Sequence, residues 1–243
     1  MPRFFLPEGS ISGNTVSFTG EDARHISRSL RMAVGDKLTA VTTDGYEHTC
    51  ELTAFTHDTV TARITESVKS PVEPPYRVTL YQGYPKGDKL ELILQKAVEL
   101  GVASVVPFES SRCVKRPDPA RADRQHERYS RIVHDAAMQC GRGVLPSVGK
   151  TLTFDGMLRA ASAHALTLFC YEGEGTLPLS ELLPADPPAD IAVIVGSEGG
   201  FSPDEVERAA AAGLSLCGLG RRILRCETAP LFVLSSLLFR YDL

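Results

Sequence analysis

Between residues 14 and 68, apolar positions alternate with Thr, Ser and charged residues in four short runs: NTVSFTG, DKLTAVTTDG, YEHTCELTAFT and DTVTARITESV. A period of two gives a strand one apolar face, and turn pairs such as Asp44-Gly45 punctuate the runs. The pattern predicts a small β-barrel over residues 1–70. One stretch breaks the alternation. EDARHISRSLRM has a helical period, which would set Arg24, Arg28 and Arg31 on one face, as suits contact with a nucleic-acid backbone.

SPVEPPY carries three prolines within five residues, a stiff connector that neither a helix nor a central strand accepts. Residues 71–76 are therefore read as a linker and residues 77–243 as a second domain. Here the period changes. RVTLYQGY is a buried-strand run, KGDKLELILQKAVEL an amphipathic helix stopped by Gly101, and ASVVPFES another strand. Strand, crossover helix and strand make a parallel unit. The theme continues with a helix over 121–139, FDGMLRAASA, the strands ALTLFCYE and IAVIVG, the helix PDEVERAAAA, the strand LSLCGL and the terminal helix APLFVLSSLLFRY. An α/β domain with a helix-covered parallel sheet follows.

Composition narrows the picture. The chain has 243 residues and 43% hydrophobic content, and no apolar run approaches the roughly 20 residues that cross a bilayer. MPRFFLPEG lacks the apolar core of a signal peptide. Six scattered cysteines form neither a CxxC pair nor a Cys/His cluster, so reduced thiols in a cytoplasmic protein, without a metal site, are expected. Net charge is −4, which alone suggests no polyanionic partner. Its distribution is uneven. Residues 110–142 hold eight basic residues against four acidic, and residues 143–220 three against ten. Cations gathered on one surface can bind phosphates locally despite a net negative chain.

The densest chemistry lies in IAVIVGSEGGFSPDEVERA. An apolar strand runs into Gly196-Ser197-Glu198-Gly199-Gly200, and a helix opens with Ser202 as N-cap, Pro203 at its first position and Glu205 closing a capping box. A glycine loop at the carboxyl end of a parallel strand is where open α/β sheets bind ligands. It matches neither the Walker nor the dinucleotide-binding glycine pattern, and Glu198 would repel a phosphate. A neutral or cationic ligand with a purine ring fits better, and S-adenosyl-L-methionine is one. A second irregular loop, Leu219-Gly220-Arg221-Arg222-Ile223-Leu224-Arg225-Cys226-Glu227-Thr228-Ala229, also joins a strand to a helix. The strands before the two loops are separated by one helix, so the loops can converge on one pocket.

GSEGGFSPDE followed by LGRRILRCETA resembles the paired signature of the bacterial 16S ribosomal RNA uridine N3-methyltransferases of the RsmE type, in the SPOUT class. RFFLP, HISRSLRMAVGDKL, KGDKLELILQKAVELGV, PFESSRCVK and QCGR extend the resemblance, in family order, over nearly the whole chain. Ser197 replaces the family's usual proline, and Met138 its usual Glu before Gln139. The resemblance implies a PUA-like β-barrel followed by a SPOUT α/β methyltransferase domain with a trefoil knot, acting as a homodimer. The target would be N3 of the uridine at position 1498 of 16S RNA in the small ribosomal subunit. The donor would lie among Gly196, Glu198, Gly199, Gly200, Leu219, Gly220, Ile223, Leu224, Arg225, Thr228 and Ala229. A SPOUT enzyme acting on tRNA or another ribosomal site, and a non-catalytic RNA-binding protein, are the alternatives.

Uridine N3 is a weakly acidic imide and a poor nucleophile while protonated, so a base must take its proton or cations must stabilise the charge that develops. Arg225 is expected to face the uracil and stabilise a carbonyl oxygen. Glu198 and Glu227 are the candidate proton acceptors, although each could instead cap backbone amides. Arg112, Lys115, Arg116, Gln139 and Arg142 join Arg24, Arg28 and Arg31 as candidate RNA contacts. Arg121, Arg124, Arg128 and Arg131 read as a solvated helix face.

Overall fold

A computed structural model describes residues 1–116 and 119–243. Within it the chain separates into two units: residues 1–73 together with 137–145, and residues 74–136 together with 146–243. The second thus begins close to the proline-rich connector. Residues 137–145, placed by sequence in the second domain, belong with the first.

In the first unit, β1 (Arg3–Phe5), β2 (Ile11–Ser12), β3 (Thr15–Thr19), β4 (Lys37–Val41), β5 (Tyr46–Phe55) and β6 (Thr59–Lys69) form one sheet in the order β1-β4-β5-β6-β3-β2. The alternation read from sequence is realised: Val16, Phe18, Leu38, Ala40, Cys50, Leu52, Val60 and Ala62 all turn into one core. Register shifts after Thr49 and Leu52 place bulges between β5 and β6, which strengthen the local twist and curl the sheet. β1 and β2 remain as edges, so the sheet is a curled half-barrel and not a closed barrel.

α1 (Gly20–Arg24) runs directly into a π-helical turn over His25–Ser29. Arg31 follows with φ 52°, in the left-handed region. The row of three arginines on one helix face therefore does not form: the π turn changes the period, and Arg31 lies beyond the helix. Met138 packs against this core beside Ile11, Met32, Phe55 and Ile64, an apolar role where the resemblance has an acid.

The second unit contains β7 (Arg77–Gly83), α2 (Lys89–Glu99), β8 (Ser104–Glu109), α3 (Ala122–Cys140, whose last residues belong to the first unit), β9 (Ser147–Val148), β10 (Leu152–Thr153), α4 (Phe154–Ala161) and β11 (Leu166–Cys170). It continues with β12 (Leu177–Pro178), α5 (Leu179–Leu182), β13 (Asp190–Val195), α6 (Pro203–Ala211), β14 (Ser215–Gly218) and α7 (Ala229–Tyr241). The sheet has eight strands in the order β10-β8-β7-β13-β11-β14-β12, with β9 also on β8, and every pairing is parallel.

Successive side chains of β13 serve opposite faces. Ala192 and Ile194 join Tyr81, Phe108 and Phe169 against Phe154, Met157 and Leu158 of α4 and Ala209 of α6. α7 packs on β13 and against α2. α2 ends where the sequence indicated, because Gly101 takes φ 86° and the Val102 amide turns back to the Ala97 carbonyl.

Candidate active site

The carboxyl ends of β13, β11 and β14 lie side by side, and the loops that leave them surround a cavity of about 320 Å³. Sequence reading set the ends of β13 and β14 together. In the structure β11 stands between them, and its loop supplies a third wall, Cys170, Tyr171 and Glu172. Periodicity identifies strands but not their order, so this wall had no local signal.

The glycine loop is held from several sides. The Gln82 side-chain amide donates to the Gly196 carbonyl at 3.2 Å, and the Gly200 amide to the Ser197 carbonyl at 2.9 Å. A Cβ on Gly83 would fall 2.5 Å from the Ser197 nitrogen, and one on Gly199 would fall 2.6 Å from the Arg112 carbonyl oxygen. Both positions require glycine because backbone meets backbone there. The capping box forms: the Glu205 amide donates to Ser202 Oγ at 3.3 Å and the Ser202 amide to Glu205 Oε2 at 2.9 Å. Glu205 is only 3% exposed, and its other oxygen accepts the Ser111 amide at 2.7 Å, tying this helix start to the segment after β8.

Electrostatics in the cavity centre on Lys89, the first residue of α2. Its Nζ lies 3.0 Å from Glu198 Oε1 and 3.2 Å from Glu227 Oε2, joining the two loops through one cation. The Lys86 amide also donates to both Glu198 oxygens, at 3.1 and 3.3 Å. Burial opposes ionisation of Glu198, but its own amide, the Lys89 ammonium and the Lys86 amide outweigh burial and hold the carboxyl below its ordinary range. Glu227 follows the same balance: burial raises it, while its own amide, the Cys226 thiol and Lys89 bring it below the usual value. The Cys226 thiol donates to Glu227 at 3.2 Å, and burial together with that bond pushes its pKa up to about 12. Cys226 is thus a neutral thiol, and both carboxylates are ionised at neutral pH.

Of the residues assigned to the donor by sequence, Gly196, Glu198, Gly200, Leu219, Gly220, Ile223, Leu224, Arg225 and Ala229 line this cavity. Gly199 and Thr228 do not: Gly199 packs against Arg112, and Thr228 precedes the first residue of α7. Lys89, Ser197, Phe201, Arg222 and Cys226 also line it and are not among the residues the sequence assigns to the donor. Lys89 stands 109 positions before Glu198, and only tertiary structure brings them together. Arg225 is exposed at the cavity, and among the described residues its guanidinium has no hydrogen bond or ion pair.

The candidate RNA contacts separate. Arg112 is exposed and reaches the Gly199 carbonyl at 3.4 Å, so it stands beside the glycine loop. Lys115 Nζ lies 5.9 Å from the centre of the Tyr84 ring, and Arg116 is exposed. In the first unit Arg24, Arg28, Arg31 and Gln139 are exposed. Arg142 corrects the expectation made for it. It is 6% exposed, and its guanidinium donates to both oxygens of Glu73, at 2.9 and 2.7 Å, so it closes a turn inside its own unit instead of facing a ligand. Among the described residues no group of three or more His, Cys, Asp or Glu could hold a metal, and no helix is long and apolar enough to cross a membrane.

A family model described as RNA methyltransferase domain matches residues 72–238, and one described as RNA methyltransferase PUA domain matches residues 18–65. The chain is 35% identical to the ribosomal RNA small subunit methyltransferase E of Bacillus subtilis, over 100% of this chain and 98% of that protein. The chain belongs to the ribosomal RNA small subunit methyltransferase E family. Two solved structures agree with that assignment. The Neisseria gonorrhoeae ribosomal RNA small subunit methyltransferase E, bound to S-adenosyl methionine, superposes with a TM-score of 0.86 at 32% identity, over 99% of this chain and 98% of that one. A Legionella pneumophila methyltransferase in complex with the cofactor SAM also gives 0.86, at 30% identity over 98% and 96%. The half-barrel is thus the PUA domain of a methyltransferase E, and the cavity lies in its methyltransferase domain.

Proposed function

We propose that this protein transfers a methyl group from S-adenosyl-L-methionine to N3 of a uridine in 16S ribosomal RNA, position 1498 by family resemblance, and that it does so in the cytoplasm as a homodimer. The observation that carries the reading is the cavity at the ends of β13, β11 and β14, enclosed by the two signature loops and bordered by exposed arginines. The cavity suits such a donor. It combines apolar walls (Val195, Phe201, Leu219, Leu224) with glycine backbone open to close approach. A trefoil knot formed by these loops belongs to the same reading.

The bound donor supplies an activated methyl carbon, and the protein's work is alignment and control of the nucleophile's charge. Arg225, exposed and unpaired among the described residues, stabilises the negative charge that develops on a uracil carbonyl oxygen as N3 loses its proton. Glu198 and Glu227 are weak bases because their acidity is enhanced, so they hold Lys89 and the loops in place while the imide proton passes to water. Arg112, Lys115 and Arg116 bind RNA phosphates from the methyltransferase unit, and Arg24, Arg28, Arg31 and Gln139 contribute RNA contacts from the first unit. α7 leaves Phe232 and Phe239 exposed, which suits a helix that packs on a second copy.

Transfer of tritium from labelled S-adenosylmethionine tests this directly, with assembled small subunits, naked 16S RNA and tRNA offered in parallel and the modified nucleoside identified by mass spectrometry. Label in N3-methyluridine of 16S RNA is expected. Label in tRNA, or in none of the three, overturns the assignment.

A further inference from the structure

Two of the most exposed apolar side chains among the described residues are Val114, at 70%, and Ile223, at 80%. Single apolar residues on a surface are ordinary and need no explanation. These two share a setting. Val114 stands among cations in Arg112-Cys113-Val114-Lys115-Arg116, and Ile223 in Arg221-Arg222-Ile223-Leu224-Arg225, with no acid in either stretch. Among the described residues Lys115, Arg116, Arg221, Arg222 and Arg225 form no ion pair. Two acids line the donor cavity: Glu198, which Lys89 answers, and Glu172, exposed on the wall from β11. The positive charge is thus local to the two stretches, and each aliphatic side chain sits inside it.

The backbone that carries Val114 is anchored on both sides. Cys113 is buried, its amide donates to the Ser110 carbonyl at 3.1 Å, and its sulfur accepts the Ser110 amide at 3.3 Å. The Ser111 amide is held by Glu205 at 2.7 Å, and the Arg112 guanidinium reaches the Gly199 carbonyl at 3.4 Å. On the other side Lys115 Nζ lies 5.9 Å from the centre of the Tyr84 ring. Val114 is therefore presented to solvent by a fixed turn tied to the glycine loop. Ile223 stands on the rim of the donor cavity itself. The strands that lead into the two stretches, β8 and β14, are separated by β7, β13 and β11. Four strand spacings amount to about 19 Å, so the ends of β13 and β11 lie between the two aliphatic residues.

We propose that Val114 and Ile223 are apolar contacts for the RNA bases on either side of the target uridine. Each packs on the face of a base while the neighbouring cations hold the phosphates. The inference rests on the reading of this cavity as the place where a uridine of RNA is methylated. A base that presents its N3 to the donor must leave its stack, which leaves the faces of its neighbours uncovered. Aliphatic side chains placed against such faces offset part of the cost of unstacking. A polyanion with flat apolar faces is the partner that an aliphatic group set between cations fits, because phosphates and bases alternate along it.

Val114→Ser in the full chain tests the proposal, with small ribosomal subunits as acceptor. Affinity for the subunit should fall roughly three- to tenfold, the scale of losing part of one buried aliphatic side chain. The slope of log K against log salt should stay as in the wild type, because no phosphate contact is lost. Val114→Phe should bind at least as tightly as the wild type, because an aromatic ring stacks on a base. Unchanged affinity in Val114→Ser overturns the proposal. So does a changed salt slope, and so does a lower melting temperature of the free protein, which would mark Val114 as structural. Photo-cross-linking decides independently of affinity, with benzoylphenylalanine placed at position 114 or 223 and the protein irradiated on small subunits. Links to 16S RNA within a few nucleotides of the methylated uridine, on its opposite sides for the two positions, support the contacts. Links to RNA elsewhere, to a second copy of this chain or to a ribosomal protein overturn them. If the wild type methylates no RNA, the reading of the site itself fails. If it does and Val114→Ser binds subunits equally well, only the role of the aliphatic pair fails.

Discussion

The two loops that enclose the cavity are built in opposite ways. The glycine loop has three of its carbonyls, its carboxylate and its following helix cap engaged: Gly196 by Gln82, Ser197 by Gly200, Gly199 by Arg112, Glu198 by Lys86 and Lys89, and Ser202 by Glu205. Phe201 at its end lies on Phe169 with ring centres 4.2 Å apart. The second loop, from Leu219 to Thr228, presents exposed Arg221, Arg222 and Arg225, and Ile223 at 80% exposure. Its fixed points are the Arg225 carbonyl, which accepts the Thr228 and Ala229 amides, and Glu227 on Lys89. Preorganised backbone suits a ligand bound in every turnover, whereas exposed cations and an exposed aliphatic suit a large polyanionic partner that arrives and leaves. We propose that the two loops share the donor cavity, with the first as its preorganised wall, and that the exposed cations of the second also engage RNA.

The largest expected effect falls on the second loop. Arg225→Ala should lower the methylation rate constant by roughly a hundredfold or more, the scale of losing one donor to a developing oxyanion. Donor affinity measured by calorimetry should change far less. Arg225→Lys should recover only part of the rate, because a point charge does not replace a planar fork. Full turnover in either variant would remove Arg225 from the chemistry and with it the division between the loops.

In the first loop the corresponding break is in stability. Glu205→Ala deprives the partly buried amides of Ser111 and Ser202 of their acceptor. A fully buried orphaned amide costs roughly 1–3 kcal/mol, and water reaches these two in part, so chemical denaturation should show a loss near the lower end of that range. Glu205→Gln keeps an acceptor oxygen and should lose less. A variant as stable as the wild type would mean that the loop is not held by its helix cap.

This loop was also the more legible one. Ser202, Pro203 and Glu205 are local signals, three adjacent helix-start rules satisfied within four residues, so the strand, turn and helix could be read directly. The second loop was read as a site because charged residues interleave with Ile223 and Leu224. What escaped reading depends on sheet order and long-range approach: the wall from β11, the reach of Lys89 to both carboxylates, and the burial of Arg142 on Glu73. Nothing in a helix-face pattern announces that an arginine is answered by a glutamate 69 positions earlier. The π turn at His25–Ser29 is a further case, since the sequence there satisfies an ordinary helical period.

Lys89 links the two loops, and removing it tests whether they are coupled. Both carboxyls sit below the ordinary value of 4.5, so the stability they contribute is complete above that pH and is lost as pH falls through their lowered values. Lys89→Met removes one cause of that lowering and leaves burial, which acts in the opposite direction, less opposed. Melting temperature followed through the acid range should then decline at a higher pH than in the wild type, with little difference at neutral pH because the groups are partly exposed. Coincident acid limbs would show that the loops are held independently.

The smallest effect tests the edge of the comparison, where Arg112 belongs to neither loop but touches the first. If its exposed guanidinium also contacts a phosphate, Arg112→Ala should reduce the slope of log K for RNA binding against log salt by about one. Lys115→Ala and Arg116→Ala should each do the same if they share that surface, while Arg142→Ala should leave the slope unchanged and lower stability, because its partner Glu73 is inside the fold. An unchanged slope for Arg112→Ala, with donor affinity reduced instead, would place Arg112 with the donor loop alone and narrow the RNA surface to the arginines of the second loop and the PUA domain.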